Sequence, residues 1–408
     1  MMPQTPERPT TRGPLWDKSM QRLLSWLGKR IAVGSLTVET PKGALLRFSG
    51  TDKPELSAHW QLHDWQPLHR LFTGGSIGLA ETYLEGRWST PDLTALLEVA
   101  ALNERHLGRP AEGLALSRLF QRLRHAWRDN SRRQAQRNIA AHYDLGNAFY
   151  ALWLDPTMTY SSALFDEGTA DLEQAQRRKY TRLAQVAGLE SGAQTLEIGC
   201  GWGGFLEHAA QHYAVNIRGI SISRAQCAYA QERLQRQALD TRARVEFCDY
   251  RDVNGRFDQV VSIEMFEAVG ERYWGAYADT LKRVLAPDGT AALQIITIAE
   301  DRFEAYRHQP DFIQHYIFPG GMLPSNQALT ALLERAGLEI RSRLHFGQDY
   351  ARTLSAWRDR FDASWDAIKT LGFDERFKRL WHFYLGYCEA GFRQQTVDVV
   401  QLGVGHAT

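Results

Sequence analysis

Two carboxylates stand among apolar side chains in "SIEMFEAVG" (262–270), directly after the apolar run 257–261. Glu264 and Glu267 are three residues apart, so a helix would set both on one face. An unpaired buried carboxylate is costly, so partners are required. A second pattern, "LEIGCGWGG" (196–204), is a strand running into Gly199, Gly201, Gly203 and Gly204, with a helix to follow. Glycines there permit a tight turn and let the backbone approach a ligand.

The elements that must position these residues are legible from Thr195 onward. "TLEIG" leads into "GGFLEHAAQHY", "NIRGISIS" into "RAQCAYAQERLQRQA", and "ARVEFCDY", "FDQVVSIE" and "TAALQIITI" follow. This alternation predicts an α/β fold, a doubly wound, mostly parallel sheet with helices on both faces. Beyond about 325, helical segments and aromatic-rich loops are expected. Residues 1–20, rich in Pro and Thr, are expected to be disordered. Residues 21–112 read as a small α+β domain: "GSLTVETPKGALLRFSG" as two strands around Pro-Lys-Gly, then two helices, the second capped near Pro91-Asp92. In 113–140, Arg118, Arg122, Arg124, Arg128, Arg132, Arg133 and Arg137 alternate with Leu114, Leu119, Phe120, Leu123 and Trp127. This basic amphipathic helix is either a contact for anionic lipid or a solvated linker. The last domain is 141–408.

Of 408 residues, 23% are charged and 44% hydrophobic, with a net charge of +1, so no global field points to nucleic acid. The four cysteines form no CxxC and no metal pattern, which fits a reducing cytoplasm. No run approaches the roughly 20 apolar residues of a membrane span, so any membrane contact is expected from the surface.

The glycine loop alone has two readings. A nicotinamide dinucleotide site wants an acid at the end of the second strand, but that strand ends "GISIS". Glu197 precedes the first glycine and Asp249 follows the third strand, the pattern of S-adenosylmethionine methyltransferases. The wider chain resembles the cyclopropane-fatty-acyl-phospholipid synthases and the related mycolic acid methyltransferases. The resemblance is carried by "AHYDLGNAFYALWLDPTMTYSSALF", "LEIGCGWGGF", "GISISRAQ", "DYRDV", "VVSIEMFEAVG", "FIQHYIFPGGMLPS" and "DYARTLSAWRDRF", in order over about two-thirds of the sequence. "GSIGLAETYLEGRWSTPDLTALL" resembles the N-terminal domain of the synthases, which gives 21–112 an expected lipid association.

The resemblance implies S-adenosylmethionine as cofactor, with Tyr160 and Ser161 at its methionine end and Gly199, Gly201 and Gly203 beneath it. Ile222 and Gln226 would meet the ribose and adenosine, and Asp249, Tyr250 and Ile263 would surround the adenine. It implies methyl transfer to a double bond of phospholipid acyl chains, with aromatic faces (Tyr143, Phe149, Tyr160, Tyr316, Tyr350) steadying the carbocation. A bicarbonate would then take a proton so that a cyclopropane closes. Glu267, Tyr350 and the backbone of Ile296 match the anion's ligands, while Ser162 and Gln294 replace a cysteine and a histidine. A methyl- or methylene-branched product is the alternative. His142 would orient a loop, Cys388 matches a cysteine considered for the active site, and Glu264 has no assigned role. The expected partner is a phospholipid surface at the inner face of the cell membrane, with a homodimer left open and no metal.

Overall fold

The computed structural model describes residues 14–107, 145–168 and 171–407. The expected basic helix, His142 and Tyr143 lie outside these. The chain divides into two units. One holds the described residues up to Leu107 together with Asp374–Ala390, and the other holds the remainder.

The first unit opens with the helix Pro14–Gly28, so residues 14–20 are ordered, contrary to expectation. Met20, Leu24 and Leu27, at helical spacing, bury one face and supply the apolar area that a disordered terminus would lack. Strands β1 (Val33–Glu39), β2 (Leu45–Ser49), β3 (Asp52–Leu62) and β4 (Trp88–Ser89) form a sheet in the order β2-β1-β3-β4. The Pro-Lys-Gly turn joins β1 and β2 as an antiparallel pair, with Val38 opposite Leu46. Asp92 caps the helix Leu93–Leu102 by accepting from the Ala95 N–H at 2.9 Å. Most of the helix Glu375–Arg393 belongs to this unit rather than to the later domain in which the sequence set it. Arg379 Nε donates to the Leu84 carbonyl at 3.0 Å, and Thr94 Oγ1 to Glu389 at 3.2 Å.

The second unit is a seven-stranded sheet in the order β10-β11-β9-β8-β5-β6-β7. Strands β5 (Gln194–Ile198), β6 (Asn216–Ser221), β7 (Ala243–Phe247), β8 (Phe257–Ile263) and β9 (Leu285–Ile298) run parallel. Leu196, Ile198, Ile220, Val260, Val261 and Leu293 are buried, as a sheet covered on both faces requires. This is the α/β class expected. Where helices and loops were expected after 325, two strands appear, β10 (Leu338–His345) and β11 (Val397–His406), and β11 pairs antiparallel with both β9 and β10. Gly403 and Gly405 interrupt the apolar run of β11, which weakens its pattern in the sequence.

From β5 the chain passes to β6 and β7 on one side and to β8 and β9 on the other. The strand order therefore reverses at β5, and ligands of open α/β sheets bind beyond the carboxyl ends of the strands at such a point. The glycine loop and both glutamates lie there.

Candidate active site

At the end of β5, Gly199, Gly201 and Gly203 hold φ of 83°, 51° and 83°, the left-handed region that glycine enters most cheaply. Gly199 and Cys200 N–H both donate to the Ile220 carbonyl at 3.0 Å, which pins the loop to β6. A Cβ at 199 would stand 2.8 Å from Met265 Cγ, and one at 203 would stand 2.9 Å from Ala230 Cβ. At Gly201 a Cβ would meet nothing within 4 Å, so its backbone borders open space. Glu197, on β5, is 2% exposed, and its Oε2 has no hydrogen-bond partner. Burial pushes its pKa up to about 8, against the pull of the Lys179 charge. A glycine backbone facing space and an orphaned buried carboxyl are what a polar ligand would complete.

The other expected cofactor residues surround the same edge. Ser223 caps the helix Arg224–Arg236, and Ser221 Oγ donates to Gln226 Oε1 at 3.0 Å. Ile222 lies between them, Tyr250 packs edge-on against Tyr277, and Ile263 ends β8. Asp249 is engaged by Arg251, through Nε at 2.8 Å and Nη2 at 2.6 Å. The set fits S-adenosylmethionine.

The second half of the site lies at the ends of β8 and β9. Glu264 follows β8 directly and has φ 49°, a conformation costing a non-glycine residue about 1–2 kcal/mol. That turn aims the side chain across β9. Its Oε1 accepts from Ser162 N–H at 2.8 Å and from Gln294 Nε2 at 2.7 Å, and its Oε2 accepts from Tyr350 Oη–H at 2.7 Å. Gln401 Nε2 donates to Gln294 Oε1 at 3.0 Å, which fixes the amide so that its N–H faces the carboxylate. The backbone closes the arrangement, Glu264 N–H donating to the Gln294 carbonyl at 2.8 Å. Burial raises the Glu264 pKa, while the Lys179 charge and the three donors oppose the rise.

Glu267 stands differently. One carboxyl oxygen accepts from the Ile296 N–H, and the other is buried with no partner. Burial, and then the Glu264 charge, push its pKa up to about 8, so it is predominantly neutral at pH 7. Ser162, Gln294 and Tyr350, which the sequence placed around an anion held by Glu267, thus turn their donors to Glu264. Ser162 contributes its backbone, since its own Oγ–H donates to the Ala163 carbonyl at 3.0 Å. The two glutamates do not share a helical face. The positive φ at 264 and a single 3-10 turn, Phe266–Ala268, replace the α-helix that their spacing suggested.

Lys179 is a further component, without any exposed surface, on the helix Leu172–Ala187. Its Nζ donates to Ser161 Oγ at 2.7 Å. Burial lowers its pKa to about 7, against the nearby charges of Glu264, Asp155 and Glu197. In the sequence it sits in "QRRKYTRL", which reads as a solvated charge run. Only the partners brought by tertiary folding mark it. Aromatic rings complete the wall: Tyr160 lies 5.3 Å from Trp357, and Trp357 lies 6.0 Å from Tyr350. Phe149 packs in the core against Trp153 and Phe361, and Tyr316 against Phe312. Cys388 belongs to the first unit.

Comparison with known proteins places these features in context. Residues 130–402 match the family model "Mycolic acid cyclopropane synthetase". The chain is 44% identical over 340 residues to the tuberculostearic acid methyltransferase of Mycobacterium tuberculosis, covering 81% of this chain and 79% of that protein. It is 34% identical over 338 residues to the cyclopropane-fatty-acyl-phospholipid synthase of Escherichia coli, covering 82% and 84%. The crystal structure of a mycolic acid cyclopropane synthase complexed with SAH and CTAB superposes with a TM-score of 0.62 at 30% identity, over 66% of this chain and 97% of that one.

Proposed function

This chain belongs to the mycolic acid cyclopropane synthetase family of S-adenosylmethionine-dependent methyltransferases, and we propose that it methylates the double bond of unsaturated fatty acyl chains in phospholipids to give a branched product. One observation carries the reading. The consecutive residues Tyr160, Ser161 and Ser162 join the two halves of the site, with Ser161 held by Lys179 and Ser162 donating to Glu264.

Bound S-adenosylmethionine supplies an electrophilic methyl group on a sulfonium. The chain's part is to align an olefin with that methyl, a positioning task. Gly199, Gly201 and Gly203, Tyr160 and Ser161, Ile222, Gln226 and Tyr250 would hold the cofactor. Transfer leaves positive charge on the neighbouring acyl carbon. Faces of Tyr160, Trp357 and Tyr350 stabilise such charge by about 0.5–2 kcal/mol each. Proton loss from an adjacent chain carbon restores a double bond beside a branch; loss from the added methyl closes a ring.

The relative with the higher identity is named for tuberculostearic acid, which supports the branch. Ring closure is the second reading, supported by the synthase relative and the family's name. The Arg-rich stretch 114–137 supports work at an anionic membrane surface from the cytoplasm, and no helix among the described residues is long and apolar enough to cross a membrane. The test is incubation with methyl-labelled cofactor and unsaturated phospholipid, followed by mass spectrometry of the fatty acids. A labelled gain of one CH₂ with a reducible double bond is expected. A gain resistant to hydrogenation would move the assignment to the ring, and no gain would overturn the function.

A further inference from the structure

The resemblance calls for an external anion as proton acceptor, and the slot does not fit one. Its donors already converge on a side chain: Ser162 N–H, Gln294 Nε2 and Tyr350 Oη–H all end on Glu264. We propose that Glu264 is the general base of this enzyme and stands where an exogenous bicarbonate would otherwise sit.

Three independent features support this, and the proposal rests on the acyl methylation proposed above. The first is saturation. A carboxylate offers about four acceptor positions. Three are filled by fixed donors, and one is left for a proton. The second is backbone conformation. Glu264 occupies φ 49°, where glycine is the undemanding choice. A long acidic side chain kept in the left-handed region at the carboxyl end of β8 points to a role for its carboxylate. The third is charge. Burial raises the Glu264 pKa, and the charge of buried Lys179 is the largest influence opposing that rise, helped by the three donors. The base is therefore oriented by three donors and attached to the chain, and no entropy is lost in capturing an anion.

The step balances without another reagent. The olefin π pair forms the new C–CH₃ bond, and the S–CH₃ pair stays on sulfur. A C–H bond next to the cationic carbon then breaks. Its proton goes to the free position on the Glu264 carboxylate, and its electron pair becomes the new C=C bond, or the third ring bond where the hydrogen comes from the added methyl. The proton returns to solvent when the product leaves. Tyr350, Gln294 and the Ser162 backbone are positioning groups for Glu264 in this scheme.

The decisive experiment compares the full-length wild type with Glu264→Gly and Glu264→Gln. Glycine takes φ 49° without strain, which protects the fold, and glutamine keeps the slot filled. Binding of ¹³C-bicarbonate is read by NMR in the absence of acyl substrate, and product formation is followed with and without added bicarbonate. Wild type is expected to bind no bicarbonate. Glu264→Gly is expected to bind it, to lose about 10²–10⁴-fold in rate, and to regain at least tenfold with bicarbonate. Glu264→Gln should be equally slow and not rescued. Bicarbonate binding to wild type, or an undiminished rate for either variant without bicarbonate, overturns the proposal. Wild type that leaves acyl chains unmethylated overturns the function instead, and because the binding measurement needs no substrate the two failures stay distinguishable.

Discussion

The ends of β5 and β8 are neighbours on one sheet edge, yet they treat polar groups in opposite ways. At β5, Glu197 is buried with an orphaned oxygen, and Gly201 faces open space. At β8, Glu264 has three donors, and Gln294 is itself held by Gln401. The Glu197 carboxyl is incomplete without a partner, whereas the Glu264 carboxyl is supplied by its own chain. Buried polar groups are hydrogen-bonded with few exceptions, so an exception marks where a partner is expected. Glu197 and Glu267 are such exceptions, and Glu264 is not.

Breaking the saturated end should have the largest effect. Gln294→Leu removes a donor to a buried carboxylate and leaves Gln401 without its acceptor. It should lower kcat about 100-fold and cost about 1.5–3 kcal/mol in chemical denaturation. Lys179→Met removes the charge that opposes the rise of the Glu264 pKa. The acid limb of the pH–rate profile should then move to higher pH, with rate lost on that limb. At the incomplete end, Gly201→Ala puts a side chain in the left-handed region at a cost of about 1–2 kcal/mol. Cofactor affinity measured by calorimetry should fall about tenfold.

Glu267→Gln sharpens the contrast through pH. The folded pKa of Glu267 is pushed from an ordinary 4.5 to about 8, so the native state binds the extra proton between those values. The associated stability is present below 4.5 and is lost as pH rises to about 8. Wild type should lose up to about 1.4 kcal/mol per pH unit relative to the variant across that window, by denaturant titration, and the difference should level off above it. The smallest effect belongs to Ser162→Ala. The backbone N–H to Glu264 survives, so a fall of about two- to threefold in kcat is expected. A far larger fall would mean that the hydroxyl, not the backbone, serves the base.

Several residues named from the sequence meet at one sheet edge, and the partners of Glu264 were not legible there. Strand, glycine loop and helix are local patterns, and the structure places them as expected. Gln294, Tyr350, Ser162 and Ile296 all meet at the ends of β8 and β9. Glu264 was left without a task because spacing of three implies a shared helical face, whereas a single left-handed residue separates the two side chains. Nothing in composition announces a positive φ at a glutamate. Lys179 stayed hidden for a related reason: its burial is imposed by the segment 155–162 and by the sheet edge, both distant in sequence. The strand β11 was missed because Gly403 and Gly405 interrupt its apolar run, and β10, "LEIRSRLH", is mostly polar and charged.

The most direct measurement is the initial rate of acyl methylation by wild type in buffer stripped of bicarbonate and then resupplied with it. A full rate at the outset, unchanged by bicarbonate, is the expected result. A rate that starts near zero and climbs with added bicarbonate would contradict a base carried by Glu264.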